Sequence, residues 1–125
     1  MIQRMSPRLL ARSTAAARVL FGLVLLARPE LLTAPWIGRD ATRAGPKVLA
    51  QAVGARDLVL GAGALACDDA ALSLWLAAAV IADGADLAAT VVAGDSLPLS
   101  GRVLVSATAL GGVVLGATAL AGLRR

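Results

Sequence analysis

The sequence has no histidine and no tyrosine, and only one cysteine, one phenylalanine and two tryptophans among its 125 residues. The single cysteine, Cys67, excludes an internal disulfide and a cysteine-rich metal site, and the lack of histidine removes the usual zinc and haem ligand sets. We therefore expect no metal and no cofactor. With so few aromatic residues and a net charge of only +4, nucleic-acid binding is not expected either.

Charged residues are also scarce, at 16% of the chain, whereas 58% is hydrophobic and the mean hydropathy is +0.80. In a soluble domain about one quarter of the residues are typically charged. A soluble domain of 125 residues also has too small a core to bury so much leucine, valine and alanine. The composition therefore predicts an integral membrane protein with the lipid bilayer as its partner. The length suits one domain, so we expect residues 1–125 to form a single polytopic unit.

Four apolar segments are long enough to cross a bilayer as helices, which takes about 20 residues each. They lack the period-two alternation of strands. The predicted fold class is all-α: a four-helix transmembrane bundle whose second and third helices form an antiparallel hairpin, closed near residues 67–71. The predicted helices span about 9–28, 46–66, 70–93 and 101–122 of the sequence.

Membrane orientation is poorly specified by the basic residues. Four spans place both termini on the same side of the membrane. Five Lys or Arg residues, Arg4 among them, then lie on that side, and five lie on the other. The positive-inside rule gives no decision from such a tie. Arg18 weakly favours cytoplasmic termini, and we expect a multi-pass protein of the cytoplasmic (inner) membrane. Trp36, in the long connection at 28–46, fits an interfacial anchor.

The stretch QAVGARDLVLGAGAL (51–65) places Arg56 and Asp57 in the middle of the second helix, and the third helix contains Asp83 and Asp86. A charge at the centre of a span costs about 2.5–3.5 kcal/mol, so we expect these groups to be paired. Arg56 and Asp83 are nearly equidistant from the turn near residue 69, so their depths should differ by only about one or two Å. We predict that they face each other. Asp57 lies about 100° further round its helix and should point toward the first or fourth helix or a cavity.

Arg18 supplies a second cation if the first helix is set deep enough. Otherwise at least one aspartate should carry a proton, Asp86 before the others, because burial and neighbouring like charge disfavour an ionised carboxyl group. The candidate catalytic acid–base residues are Asp57, Asp83 and Asp86, and the candidate binding residues are Arg18 and Arg56. The alternative is that the Arg–Asp pair is a clamp between helices and has no further role.

A ridge of small residues follows in the fourth helix, where Gly112 and Gly116 form a GxxxG pattern preceded at the same spacing by Thr108. Such a ridge lets helix backbones approach closely. It predicts either packing within the bundle or a homodimer through Thr108, Gly112 and Gly116.

The segment GARDLVLGAGAL, followed by a helix containing DGADL, resembles the small four-helix bacterial membrane proteins of the DoxX-like kind. The likeness covers nearly the whole chain and rests on helix count, helix spacing and the buried Arg–Asp pattern. It implies a four-helix bundle in the cytoplasmic membrane, but no settled activity.

Three classes of function fit the buried charges. The first is a polar site that binds or transports a small molecule, in which Asp83 or Asp86 exchanges a proton and Arg56 holds an anionic or carbonyl group. The second is a membrane-embedded acid–base enzyme that opens an epoxide, or isomerises or cyclises a lipophilic substrate. The third is an accessory subunit whose buried charges pair with a partner protein. The sequence leaves open whether the protein is an enzyme.

Overall fold

The computed structural model describes residues 5–125, and within that range it is largely helical with no β-strand. Helices α1, α3, α4 and α5 are each long and apolar enough to cross a membrane, and the predicted all-α transmembrane bundle is confirmed. The chain is thus a multi-pass membrane protein. Arg4, counted above with the termini, lies outside the described residues. The helices are α1 (Pro7–Ala27), α2 (Pro29–Ile37), α3 (Ala44–Ala66), α4 (Asp69–Ala93) and α5 (Leu99–Leu123).

The short helix α2 lies within the stretch predicted only as a connection, so the predicted second, third and fourth helices are α3, α4 and α5. Pro29 is the first residue of α2. A backbone N–H at this position would have no acceptor within the helix, so proline, which lacks the N–H, is well tolerated there. Glu30 stands in the first turn, where a negative charge suits the helix dipole. The helix ends at Gly38, whose φ of +71° favours glycine. A 3₁₀ turn then leads into α3.

The hairpin of α3 and α4 is confirmed, since Cys67 and Asp68 alone separate the two helices. Asp68 caps α4 by accepting a hydrogen bond of 2.9 Å from the backbone N–H of Ala71. At the end of α3, Arg12 of α1 donates to the carbonyl oxygens of Leu65 at 2.9 Å and Cys67 at 3.1 Å. The backbone carbonyl groups at the end of α3 and an N–H group at the start of α4, which have no partners within their own helices, are thus hydrogen-bonded to side chains.

Small residues bring the helices of the bundle close together. A Cβ added at Gly54 of α3 would lie 2.9 Å from the carbonyl oxygen of Gly22 in α1, and one at Gly61 would lie 2.6 Å from a backbone oxygen of α1. Gly63 lies against the ring of Trp75 in α4. Close approach of this kind is how helices associate where no water is present to drive them together.

The outer surface of the long helices is apolar. Leu20, Leu74, Ile81 and Val92 are between 65% and 86% exposed, which suits contact with acyl chains rather than water. Inside, a small buried core fills the half of the bundle nearest the termini. It consists of Ala11, Ala15, Ala64, Leu72, Leu76 and Ala119. The other half of the bundle is less tightly filled and contains the candidate site.

Candidate functional site

Arg18 joins two buried aspartates from different helices. Its two terminal nitrogens donate to Asp57 Oδ1 of α3 at 2.7 Å and to Asp83 Oδ2 of α4 at 2.5 Å. The three side chains are only 16%, 4% and 12% exposed. Arg18 lies near the middle of α1, so the ion pairs form deep in the membrane, where an unpaired charge is costly.

Arg56 forms the second half of the cluster. It makes a two-point contact with Asp86 of α4, at 2.9 Å to Oδ1 and 2.7 Å to Oδ2, and its Nη2 also lies 3.4 Å from Asp57 Oδ1. Asp57 thus contacts both arginines. We call the connected residues Asp83, Arg18, Asp57, Arg56 and Asp86 the Arg/Asp cluster.

The predicted pairing of Arg56 with Asp83 is wrong. Asp83 accepts from Arg18, and Arg56 donates to Asp86, one helical turn further along α4. The distance of each residue from the turn predicts the depth of the Arg56 partner to within about 5 Å. It does not determine which face of each helix is turned toward the other. The long arginine side chain spans the remaining distance. Asp57 does point toward the first helix, as predicted, because it accepts from Arg18.

The cluster has an excess of negative charge. Two guanidinium groups and three carboxylates give a formal sum of 2 − 3, or −1, when every group is ionised. Asp57 Oδ2 and Asp83 Oδ1 accept no hydrogen bond from any residue in the range 5–125. By contrast, all four terminal nitrogens of Arg18 and Arg56 donate to carboxylates. Arg56 Nε is buried without a hydrogen-bond partner in the described chain, so the cluster also keeps an unused N–H donor, and what it lacks is one positive charge.

A cavity of about 440 Å³, which we call the main cavity, lies between the helices and has this cluster on its wall. Arg18, Asp57, Asp83 and Asp86 form its polar wall, while Arg56 lies outside the lining and holds Asp86 from behind. The structure thus brings together all five residues predicted as the site, four of them on one cavity. The remaining walls are mostly apolar and include Phe21, Leu25, Val53, Leu104, Val105 and Leu115.

Helix α2 covers the end of the cavity furthest from the cluster, where Leu32, Thr33 and Trp36 line it. The α2 backbone is packed directly on α5, since a Cβ at Gly101 would collide with the carbonyl oxygen of Trp36. Of the cavity-lining residues of α5, Leu104 lies eight positions from Gly112, which is beside Asp83, so the cavity extends about 12 Å from the cluster toward α2. Trp36 was predicted as an interfacial anchor; it lines the cavity, and its Nε1 is buried without a hydrogen-bond partner in the described chain.

A second cavity, of about 40 Å³, lies on the other side of the Arg18–Asp83 pair. Thr14, Arg18, Asp83 and Gly112 line both cavities. The smaller one has room for about three water molecules. It is bordered by Ala15, Ala64 and Leu76 of the buried core near the termini. The main cavity therefore leads away from the termini, toward α2.

The GxxxG residues pack within the bundle. Gly112 lies against the carboxyl group of Asp83, and a Cβ at Gly116 would lie 2.6 Å from a methyl carbon of Val80. The ridge thus seats α5 on α4 and leaves room for a charged side chain beside it. Thr108 lines the main cavity and donates to the backbone of Leu104. A homodimer through these residues stays a prediction.

The sequence did not indicate α2, Phe21 or Trp36 as part of the site. The available signal was the apolar stretch PELLTAPWI within a charged connection, which predicts a segment buried on one side. Among residues 5–125, no group of three His, Cys, Asp or Glu side chains is arranged to hold a metal ion. Comparison of the chain with models of protein families, with curated proteins and with solved structures finds no match.

Proposed function

We propose that the protein binds a lipophilic small molecule in the main cavity, and that the aspartates of the Arg/Asp cluster exchange a proton there. The observation that carries this proposal is a cavity of about 440 Å³ that ends on buried charges. Small-molecule sites typically enclose about 300–1,000 Å³, with apolar walls and a few convergent polar groups. Charged residues inside a membrane bundle commonly mark such sites.

The proposed roles follow from the contacts. Asp57 and Asp83 are the acid–base groups that face the cavity, each with one carboxylate oxygen left open by Arg18. Arg18 fixes the spacing of the two carboxyl groups, and Arg56 holds Asp86 in place. A net charge of −1 at this depth is unfavourable, which favours the uptake of one proton or one cation by the cluster.

The membrane and the family are also part of the proposal. We place the protein in the cytoplasmic membrane of a bacterium, on the strength of its resemblance to proteins of the DoxX-like kind. A role as the accessory subunit of a membrane complex stays a prediction, as does homodimerisation.

A second candidate function is acid–base catalysis on a lipophilic substrate, and the bridging position of Arg18 favours it. One guanidinium holds Asp57 and Asp83 side by side, so that one can be ionised while the other carries a proton. In epoxide opening, the ionised carboxylate would take a proton from water as the water oxygen bonds to carbon, and the acid would protonate the departing epoxide oxygen. Isomerisation or cyclisation would use the same two groups.

Trp36 gives a direct test of binding. The variant Trp75→Phe leaves Trp36, on the cavity wall, as the sole tryptophan. We expect a neutral ten-carbon bromoalcohol to quench Trp36 fluorescence saturably in lipid nanodiscs, because bromine in the cavity lies near the indole. Ala109→Phe fills the cavity and should abolish saturation. Leu110→Phe, at a position 52% exposed on the outer surface of the same helix, is the matched control.

Equal, non-saturable quenching in the Ala109→Phe and Leu110→Phe variants would show that the alcohol partitions into lipid only, and would contradict the binding proposal. The enzyme candidate is tested separately, by incubating a lipophilic epoxide with the protein and measuring the diol by mass spectrometry. Diol formation that survives Asp83→Asn unchanged would contradict that candidate.

A further inference from the structure

The charge of the Arg/Asp cluster selects the class of ligand. Resting on the proposed function, we infer that the main cavity takes a lipophilic organic cation, such as a protonated alkyl amine, and that its binding displaces a proton from the cluster. The formal charge of −1, the two open carboxylate oxygens and the apolar walls together carry this inference.

An anionic ligand does not fit the cluster. The terminal nitrogens of Arg18 and Arg56 all donate to carboxylates, so an anion would have to share these two cations with three aspartates that already outnumber them. It would also add a negative charge to a cluster that, with every group ionised, already has one in excess.

An ammonium group fits the same place directly. Asp57 Oδ2 and Asp83 Oδ1 belong to side chains that are 4% and 12% exposed, yet no described residue donates to either oxygen. A protonated amine brings up to three N–H donors and one positive charge, which completes the pairing of two arginines with three aspartates. Phe21, which lines the cavity one turn along α1 from Arg18, adds an aromatic ring, a group that attracts cations, to the wall beside the cluster.

The rest of the cavity requires the cation to be organic. Its walls beyond the cluster are mostly apolar over about 12 Å, the distance along α5 from Gly112 to Leu104, so a bare metal ion would leave most of the space empty. An alkyl chain fills that space and removes its own surface from water. The ligand is thus a cationic head with a lipophilic tail that extends toward α2.

The exchange of proton for cation is balanced. In the proposed exchange the cluster starts with one carboxyl group protonated, which makes its formal charge zero. When the ammonium group binds, the O–H bond of that carboxyl group breaks, the proton leaves to solution, and the carboxylate pairs with the ammonium. The cluster with its ligand is again neutral, and no electrons are transferred.

A matched series of ligands tests the inference. Ten-carbon bromoalkyl chains ending in an amine, an alcohol or a carboxylic acid share one tail and differ only in the head group. With Trp36 as the reporter, we expect the amine to bind about tenfold or more tightly than the alcohol, as one desolvated charge pair would provide. The acid should bind more weakly than the alcohol. Titration in weak buffer should record about one proton released per amine bound, from the charge balance above.

Two variants check that the carboxyl groups cause the preference. Asp83→Asn should lower amine affinity about tenfold and leave alcohol affinity within about twofold. Asp86→Asn, at the more exposed end of the cluster, serves if Asp83→Asn does not fold. Ala109→Phe should block every member of the series.

The outcomes separate this inference from the proposed function. If alcohol and amine bind equally, the cavity is a binding site but not one for cations, and the inference fails while the proposed function stands. Preferential amine binding without proton release would contradict the exchange step. If no member of the series quenches Trp36 saturably, the inference and the proposed function fail together.

Discussion

Arg18 and Asp57 are 39 positions apart in the sequence, yet the Arg18 guanidinium lies 2.7 Å from the Asp57 carboxylate. This contact makes α1 part of the site, because Arg18 supplies the cation that Asp83 would otherwise lack and the shorter of the two arginine contacts of Asp57. Of the two arginines, Arg18 is the more buried, with a side chain 16% exposed against 31% for Arg56. The two should therefore differ in their contribution to stability.

The first prediction compares the two arginines. Arg18→Leu should lower the free energy of unfolding by about 3–5 kcal/mol, because it leaves Asp83 buried without a partner and Asp57 with only the 3.4 Å contact to Arg56. Arg56→Leu should cost less, since it leaves only Asp86 without its arginine, while Asp57 keeps the shorter contact with Arg18. Unfolding in mixed detergent micelles, followed by circular dichroism, measures both values. Arg39→Leu, on the exposed turn before α3, is the control. A larger loss for Arg56→Leu would contradict the order of burial.

The second prediction concerns which carboxyl group pairs with Arg56. A double-mutant cycle for Arg56→Leu and Asp86→Leu should give a coupling energy of about 0.5–2 kcal/mol, the range found for polar pairs in membranes. The same cycle with Asp83→Leu should give a smaller value, because Asp83 is bonded to Arg18. Stronger coupling of Arg56 to Asp83 would restore the pairing predicted from the sequence.

The comparison of these pairings shows how far a sequence can locate such a site. Helix length and the short turn at Cys67 determine depth, and this was sufficient to predict that Arg56, Asp57, Asp83 and Asp86 lie at similar levels. The rotation of each helix about its axis depends on which small residues pack against the neighbouring helix. Close glycine contacts determine it for α1 and α3, and the hydrophobic periodicity of the sequence does not predict these contacts. Arg18 could therefore be named as a cation, but its partners could not.

Helix α2 and its part in the cavity could not be predicted for a related reason. A nine-residue helix with a proline inside it gives a weak local signal. Its position depends on the contact with Gly101, a residue 64 positions or more from α2 in the sequence. Tertiary packing, and not local helix propensity, determines the structure and position of such a segment.

The third prediction concerns Gly112, which carries no charge but lies beside one. Gly112→Ala places a Cβ against the Asp83 carboxylate, so Asp83 must shift away from Arg18. We expect a loss of about 1–3 kcal/mol from overpacking and weakened pairing, together with weaker ligand binding. Gly111→Ala is the matched control, because a Cβ there meets nothing within 4 Å. Equal stability of the two variants would show that Gly112 is not a seat for Asp83.

The fourth prediction concerns the hairpin at the far side of the cluster from α2. Arg12→Ala removes the hydrogen bonds to the carbonyl oxygens at the end of α3, and we expect a loss of about 1–3 kcal/mol. Arg8→Ala is the control, since its ion pair with Asp69 is 68% and 55% exposed and should change stability by less than about 1 kcal/mol. Thermal unfolding in detergent measures both, and similar losses would mean that Arg12 acts only as a surface charge.

The last prediction concerns α2 as the cover of the cavity. Gly101 is buried, and an added Cβ would collide with the carbonyl oxygen of Trp36 and lie 2.6 Å from that of Pro35. Gly101→Ala therefore forces α2 away from α5 and opens the cavity beside Trp36. We expect the Trp36 emission of the Trp75→Phe background to shift to longer wavelength and to become quenchable by iodide, since water then reaches the buried indole nitrogen. Gly111→Ala, in open space on the same helix, should leave the emission unchanged. A folded Gly101→Ala variant with unaltered emission and no iodide quenching would show that α2 does not depend on this contact and that something else holds it over the cavity.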